Sequence, residues 1–223
     1  MSDEPKLGYV GIGLMGAPMA LRLRAAGYDL SVWNRSPDKL KAVVAKGAQA
    51  LGSAAEVARA ADIIMMCVTD QQAAEIVLFG PDGIAEGGSK GKLVVDFSSI
   101  APASARAYAE RLEAEQGMGL VDAPVSGGVI GAEQGSLAIM AGGKAEHFER
   151  ARPVVAHVSA RFTYMGPSGA GQATKLCNQI IVGCLFPVLA EAIRFAETAG
   201  VDATKLPEAL KGGFADSVPL QVF

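Results

Sequence analysis

The sequence has few of the side chains that bind metal ions or form disulfides. Its 223 residues include three cysteines and two histidines, and no two cysteines form a C-x-x-C pair. Cys177 and Cys184 would lie two helical turns apart, roughly 10 Å, which is too far for a disulfide. We therefore expect Cys67, Cys177 and Cys184 to be buried small apolar residues, and we expect no metal site.

The chain also lacks an excess of basic residues. Its 20 lysines and arginines are outnumbered by 23 acidic residues, which gives a net charge of −3. Nucleic-acid binding needs a clustered basic face, so we expect no nucleic-acid partner. Half of the residues are apolar and 19% are charged, a composition typical of globular proteins rather than disordered ones.

No segment has the pattern of a signal peptide or a membrane span. The chain starts MSDEPKLGYVGIG, without a basic and then apolar leader. Its longest apolar stretch, residues 180–190, is interrupted by Gly183 and Pro187 and is shorter than the roughly 20 residues that cross a bilayer. We expect no membrane association and a reducing, cytoplasmic location.

Strand and helix patterns alternate from residue 7 onward. Apolar runs predict strands at residues 7–10, 30–33, 63–68, 93–96, 120–122, 137–140 and 162–165. Helical periodicity predicts helices at residues 17–26, 71–78 and 103–115, and Ser53 and Glu56 form a capping box that opens another. This alternation predicts an α/β fold with a doubly wound, mostly parallel sheet.

The pattern changes after the glycine-rich segment at residues 166–169. Residues 170–198 carry no strand signal and predict one helix roughly 43 Å long, which Pro187 should kink or divide. A further helix is predicted near Thr204. We expect an α/β domain at residues 1–167 and an all-α second domain at residues 168–223 that is cut short at the end of the chain.

A glycine loop follows the first predicted strand and opens the first predicted helix. It has the pattern G-x-G-x-x-G and consists of Gly11, Ile12, Gly13, Leu14, Met15 and Gly16. In this position the three glycines permit a tight turn, a close approach of pyrophosphate and close helix packing. The pyrophosphate then contacts free N–H groups at the positive end of the helix. The loop predicts a dinucleotide-binding domain of the Rossmann type, residues 1–167.

The residues after the second predicted strand indicate which dinucleotide binds. An NAD site usually has an acidic residue there, whereas this chain has Asn34, Arg35 and Ser36. A carboxylate would repel a 2′-phosphate, and an arginine can hold it with charge-assisted hydrogen bonds. The sequence therefore favours NADP, with NAD as a possible alternative. A solvated turn with an incidental arginine is the other interpretation.

Four motifs, in order, resemble the β-hydroxyacid dehydrogenase family, which is related to 3-hydroxyisobutyrate dehydrogenase. They are GLMGAPMA at residues 13–20, VDFSSIAP at 95–102, DAPVSGG at 122–128 and GAGQATKLCNQ at 169–179. The resemblance covers essentially the whole chain. It implies an NAD(P)-dependent oxidoreductase that transfers a hydride between its cofactor and a small 3-hydroxy acid or aldehyde acid.

The resemblance implies that Lys175 is the catalytic residue, and the chemistry supports this role. Hydride arriving at a carbonyl carbon leaves an alkoxide, and an ammonium offers it both a proton and a positive charge. Asn178 and Gln179 follow on the same helical face and are predicted to contact substrate. A surface lysine on a helix is the other interpretation.

Other residues are assigned roles by the same resemblance. Ser126, Gly127 and Gly128 have the composition of a cradle for a substrate carboxylate, because two glycines leave backbone N–H groups uncovered. An ordinary turn would have the same composition. The cofactor contacts implied by resemblance alone are Cys67, Val68, Gln72 and Ser99.

The Asn178-Gln179 pair resembles the branch of the family that reduces 2-hydroxy-3-oxopropionate, also called tartronate semialdehyde. The alternatives are a 3-hydroxyisobutyrate dehydrogenase, a reductase of succinic semialdehyde or glyoxylate type, or a non-catalytic NADPH-binding module. Imine reductases share the architecture but usually lack the lysine, so Lys175 argues against them. The apolar helix at residues 170–198 predicts a homodimer or homotetramer, because half a helical domain cannot cover it.

Overall fold

The computed structural model describes residues 4–222. Their strands are β1 (Leu7–Val10), β2 (Leu30–Trp33), β3 (Gln49–Ala50), β4 (Ile63–Met66), β5 (Leu93–Asp96), β6 (Gly119–Asp122), β7 (Val125–Ser126), β8 (Leu137–Gly143) and β9 (Ser159–Gly166). Their α-helices are α1 (Gly16–Ala25), α2 (Lys41–Val44), α3 (Ala54–Ala60), α4 (Gln71–Phe79), α5 (Pro102–Gln116), α6 (Gly128–Gln134), α7 (Ala145–Val155), α8 (Ala170–Thr198), α9 (Leu206–Leu210) and α10 (Val218–Gln221). Short 3-10 turns lie at Pro37–Leu40, Ile84–Gly87 and Ala203–Lys205.

The strands form one mostly parallel sheet in the order β3-β2-β1-β4-β5-β6-β8-β7, with β9 beside β8. The first six strands in this order, β3-β2-β1-β4-β5-β6, pair in parallel. In contrast, β8 runs antiparallel to both β6 and β7. Strand order reverses between β1 and β4, which is the point where open α/β sheets bind ligands. The predicted doubly wound α/β fold followed by helices is confirmed.

The central strands are buried on both faces, as their continuous apolar runs predict. Successive residues of a strand point to opposite faces, so Tyr9 packs in one hydrophobic cluster and Val10 in the other. The same alternation divides β4, where Met65 belongs to the first cluster and Met66 to the second. Helices on both faces of the sheet therefore have an apolar surface to pack against.

Five strands and α-helices of the sheet domain have no counterpart in the sequence-based prediction. One is α2, which has only four residues. The strands β3 and β7 have two residues each, which is too short for a visible periodicity. Helix α6 begins at Gly128 and also contains Gly131, and glycine disfavours helix. Helix α7 contains Pro153, which reads in a sequence as a helix breaker.

The chain divides into two compact units, of which the first ends at Lys175 and the second begins at Leu176. This division falls inside α8, while the predicted domain boundary between residues 167 and 168 stays a prediction. In the second unit Leu189, Ala196 and Leu220 are buried. The chain runs through Pro187 without ending α8, so the alternative of a join between two helices is wrong.

Helix α8 is long and apolar. Its 29 residues include a stretch of 18 with a mean hydropathy of 1.8, and 6% of that stretch is buried. By length and composition alone, α8 could cross a membrane. Cys177 and Cys184 lie on this helix and are exposed, so the expectation that all three cysteines are buried is wrong for these two. The error arises because an apolar helix suggests burial even where no neighbour covers it.

Candidate active site

The carboxyl ends of β1, β2, β4 and β5 are aligned at one edge of the sheet. Backbone hydrogen bonds continue the ladder one residue beyond the strands: Gly11 N donates to Trp33 O at 3.1 Å, Cys67 N to Val10 O at 3.0 Å, and Phe97 N to Met66 O at 2.8 Å. The loops that leave these strands therefore start from fixed and adjacent positions.

The glycine loop leaves β1 at this edge, and its three glycines meet two different requirements. Gly11 has φ +95°, and a Cβ atom there would lie 2.2 Å from the Cys67 carbonyl oxygen. A Cβ atom on Gly16 would lie 2.0 Å from the Gly11 carbonyl oxygen. A Cβ atom on Gly13 would meet no atom within 4 Å. The first and third glycines therefore permit close packing, and the second leaves the loop surface open, as the predicted pyrophosphate site requires.

Helix α1 begins directly after this open space. Its N-cap residue, Met15, makes no side-chain cap, and its first turn carries no acidic residue. The first N–H groups of a helix lack partners within the helix and attract anions. The start of α1 is thus suited to a phosphate group.

A cavity of about 410 Å³ lies over the glycine loop. Ten predicted cofactor residues line it: Gly11, Gly13, Leu14, Met15, Gly16, Asn34, Arg35, Ser36, Cys67 and Val68. Six further residues complete the lining: Trp33, Lys39, Thr69, Ala73, Ile76 and Val77. Its volume lies within the range of small-molecule sites, roughly 300–1,000 Å³.

Two cationic residues, Arg35 and Lys39, line the cavity. No carboxylate is among the described residues that line it. Asn34 supports the turn between them and the strand, because its Nδ2 donates to the Ser36 carbonyl oxygen at 2.9 Å. Sequence reasoning missed Lys39. It lies four residues after Arg35 in the 3-10 turn Pro37–Leu40, and one lysine in a polar segment gives no distinct signal.

Three predicted cofactor residues do not line the cavity. The side chain of Ile12 is 1% exposed and belongs to the hydrophobic core. Gln72 lies in the first turn of α4 and Ser99 lies after β5, and both are exposed. Their contacts with a cofactor stay predictions.

Cys67 is one of the residues that line the cavity, and its thiol is neutral. Burial, and secondarily the charge of Asp96, raises its pKa to about 12. It therefore offers the cofactor an uncharged surface rather than a nucleophile. The N–H group of Val68 is already occupied, because it donates to the Ser98 Oγ at 2.9 Å.

The segment Ser126-Gly127-Gly128 connects β7 to α6. Gly127 and Gly128 have φ values of +128° and +62°, and both are exposed. A Cβ atom on Gly128 would meet no atom within 4 Å, so the backbone here is open to a ligand. The half-buried Ser126 adds a hydroxyl at the end of β7. This geometry suits a carboxylate, although the role stays a prediction.

Lys175 lies in the second turn of α8 and is half-buried. Burial lowers the pKa of its ammonium, which makes proton exchange near neutral pH easier. Asn178 and Gln179 follow on the same helix, in the second unit. The Asn178 Nδ2 donates to the Gln179 Oε1 at 3.0 Å. Within residues 4–222 no group of three or more metal-binding side chains is assembled.

Comparison with known proteins gives consistent matches along the chain. The family model described as the NAD binding domain of 6-phosphogluconate dehydrogenase matches residues 6–166. The model described as NAD-binding of NADP-dependent 3-hydroxyisobutyrate dehydrogenase matches residues 169–222.

Individual proteins match over most of their own length. The chain is 42% identical to the 2-hydroxy-3-oxopropionate reductase of Escherichia coli (strain K12), over 97% of this chain and 74% of that protein. It is 38% identical to the 3-hydroxyisobutyrate dehydrogenase of Pseudomonas aeruginosa, over 92% of this chain and 68% of that protein. The solved structure of Mycobacterium tuberculosis 3-hydroxyisobutyrate dehydrogenase with L-serine superposes with a TM-score of 0.88 at 30% identity, covering 96% of this chain and 72% of that one.

We predict that Gly13→Ala weakens dinucleotide binding without destabilising the protein. The new methyl group meets no protein atom within 4 Å but occupies the open space over the loop. We expect the Kd for NADPH, measured by fluorescence titration, to rise about tenfold while the Tm stays unchanged. Gly11→Ala is the matched contrast, because its positive φ and its 2.2 Å contact should lower the Tm as well. Wild-type NADPH affinity in folded Gly13→Ala protein would contradict the assignment.

Proposed function

The chain belongs to the 3-hydroxyisobutyrate dehydrogenase family of NAD(P)-dependent oxidoreductases, and from this membership we propose that it reduces 2-hydroxy-3-oxopropionate with NADPH. Members of the family act on the hydroxyl group of small hydroxy acids, so this chain is an NAD(P)-dependent hydroxyacid dehydrogenase or reductase. The choice of substrate and of NADPH over NADH is the part we propose.

Two features support 2-hydroxy-3-oxopropionate as the substrate. The E. coli relative at 42% identity carries the name 2-hydroxy-3-oxopropionate reductase. The Asn178-Gln179 pair resembles that same branch of the family. The second candidate is 3-hydroxyisobutyrate, which is favoured by the family model that matches residues 169–222 and by the P. aeruginosa relative.

The pair Arg35 and Lys39 is the observation that carries the NADP preference. Both residues follow β2 in the chain and line the cavity, and no described carboxylate lies among the lining residues. An arginine forms bidentate hydrogen bonds with a phosphate, and a lysine adds a point charge. NADH has no 2′-phosphate and would gain nothing from either cation.

The open space at Gly13 and the free start of α1 would hold the pyrophosphate. When bound, the nicotinamide supplies the hydride in reduction and accepts it in oxidation. Ser126, Gly127 and Gly128 would hold the carboxylate of the substrate through a hydroxyl and backbone N–H groups. The resemblance to the family also predicts substrate contacts for Asn178 and Gln179.

Lys175 would move the proton. Its ammonium donates a proton to the carbonyl oxygen as that oxygen gains negative charge, and the neutral amine takes the proton back in the reverse direction. The positive charge also stabilises the developing alkoxide. Because burial lowers its pKa, both protonation states are accessible closer to neutral pH than for an exposed lysine.

We further propose that the second domain, residues 168–223, assembles the chain into a homodimer or homotetramer. Six large apolar side chains of α8 are at least half exposed: Leu176, Ile180, Ile181, Phe186, Val188 and Phe195. An apolar surface of this extent usually marks an interface, and a second copy of the same helix would cover it with matching chemistry. Such an assembly agrees with the predicted cytoplasmic location and with the expectation of no membrane association.

We predict that Arg35→Ala raises the KM for NADPH by about 10- to 100-fold, which corresponds to one lost charge-assisted hydrogen-bonded contact. The KM for NADH should change little, and Lys39→Ala should act in the same direction. Lys41→Ala is the matched control, because Lys41 is exposed, pairs with Asp38 at 2.7 Å and does not line the cavity. Equal effects of Arg35→Ala on both coenzymes would contradict the NADP assignment.

Replacement of Lys175 tests the reaction itself. We expect Lys175→Ala to lower kcat by about 10²- to 10⁴-fold, the usual loss of a general acid, and to leave the Kd for NADPH near the wild-type value. Lys175→Arg keeps the charge but cannot release a proton near neutral pH, so we expect it to be inactive too. Turnover retained in Lys175→Ala would refute the proposed role.

Light scattering tests the assembly. We expect a mass of two or four times the 22.9 kDa of the chain, and a smaller mass when Ile180 and Ile181 are replaced by Asp, because buried charge disrupts an apolar interface. A wild-type monomer at micromolar concentration would contradict the proposal.

A further inference from the structure

The start of α8 is held by a carboxylate that lies far from it in the sequence. Asp122 ends β6 and is completely buried. Its Oδ1 accepts from Gly169 N at 2.7 Å, and its Oδ2 accepts from Gln172 N at 2.9 Å. The first N–H groups of a helix have no partners within the helix, so Asp122 caps α8 from across the sheet.

The side chain of Gln172 makes a second attachment. It is 1% exposed, and its Nε2 donates to the Ser98 carbonyl oxygen at 2.8 Å while its Oε1 accepts from Ile100 N at 3.1 Å. These two backbone groups flank Ser99, a predicted cofactor contact. Gln172 therefore attaches the first turn of α8 to the segment that follows β5.

Close packing prevents the first turn from shifting. A Cβ atom on Gly171 would lie 2.5 Å from both the Asp122 and Met140 carbonyl oxygens. A Cβ atom on Gly142 would lie 2.5 Å from the Asp122 Oδ1 and 2.8 Å from Ala170 N. Glycine at both positions lets the first turn of α8 and β8 pack closely around the same residue, Asp122.

Burial raises the pKa of Asp122, while the hydrogen bonds from Gly169 and Gln172 lower it again. These bonds offset part of the rise and favour the charged form, which also lies at the positive end of the helix. Asp96, its register partner on β5, accepts a hydrogen bond at Oδ1 alone, from Ser98 N at 2.8 Å. Within the described residues its Oδ2 has no hydrogen-bond partner, and burial raises its pKa to about 6.

Lys175 lies three residues after Gln172, on the adjacent turn of the same helix. Among the described residues, no hydrogen bond or ion pair holds its ammonium, so the position of that group depends on the helix backbone. We propose that Asp122 and Gln172 are positioning residues that fix the first turn of α8 and thereby the place of the Lys175 ammonium. This inference rests on the proposed catalytic role of Lys175.

The test compares Asp122→Asn and Gln172→Leu with Asp96→Asn in the full chain. An asparagine retains the size of Asp122 but offers one acceptor oxygen, so at least one N–H group of α8 loses its partner. With tartronate semialdehyde as substrate, we expect kcat to fall about 10- to 100-fold in the first two variants, as for a misplacement of about 1 Å. In Asp122→Asn the Kd for NADPH should stay within about twofold of wild type.

Asp96→Asn is the matched control. It removes a buried carboxylate from the neighbouring strand but keeps an acceptor for Ser98 N, which donates to Asp96 Oδ1 at 2.8 Å. We expect its kcat to equal that of wild type. A folded Asp122→Asn or Gln172→Leu protein with wild-type kcat would overturn the inference. If Lys175→Ala abolishes turnover while Asp122→Asn and Gln172→Leu keep the wild-type kcat, only the positioning role is refuted. If Lys175→Ala retains turnover, the proposed function itself is refuted.

Hydrogen exchange of the wild-type protein tests whether Asp122 holds the start of α8, even if these variants do not fold. The amides of Gly169 and Gln172 would exchange rapidly in a helix with a free start, because they lack intrahelical acceptors. With Asp122 as their acceptor, we expect protection comparable to that of the β6 amides. Exchange of either amide at the rate of exposed loops would overturn the proposed attachment.

Discussion

The parallel pairing of β2, β1, β4, β5 and β6 is the constraint on which the remaining structure depends. Parallel strands end at the same edge, so the segments that leave them are brought together whatever their separation along the chain. The segments are the glycine loop after β1, residues 34–36 after β2, residues 67–68 after β4, residues 97–100 after β5 and Asp122 at the end of β6. Each contributes a different chemical group to one edge.

Small residues and one buried carboxylate convert this edge into a site. Gly11 and Gly16 allow β1, its loop and α1 to pack without a gap, and Gly13 leaves the loop surface open. At the other end of the edge, Asp122 binds the first turn of α8, which carries Lys175 one turn later. The polar groups of Asp122 and Gln172 are buried but hydrogen-bonded, as is required of polar groups in a protein core.

Much of this architecture could be predicted, because it is encoded locally. Apolar runs predicted the central strands, and the bounds of α8 were predicted at residues 170 and 198. The cap at Ser53 is confirmed by its hydrogen bond from Glu56 N at 3.1 Å. Helices α6 and α7 were missed because glycine and Pro153 hide their periodicity. Contacts between residues 122 and 172 could not be predicted, since no spacing relates positions 50 residues apart.

The initial rates of NADPH and NADH oxidation by this chain test the central claim most directly. The substrates to compare are tartronate semialdehyde, succinic semialdehyde and methylmalonate semialdehyde. We expect the highest kcat/KM with NADPH and tartronate semialdehyde, because Arg35 and Lys39 line the cavity and because we propose Lys175 as the proton donor. NADPH binding without turnover of any of the three would contradict the claim and indicate a non-catalytic module.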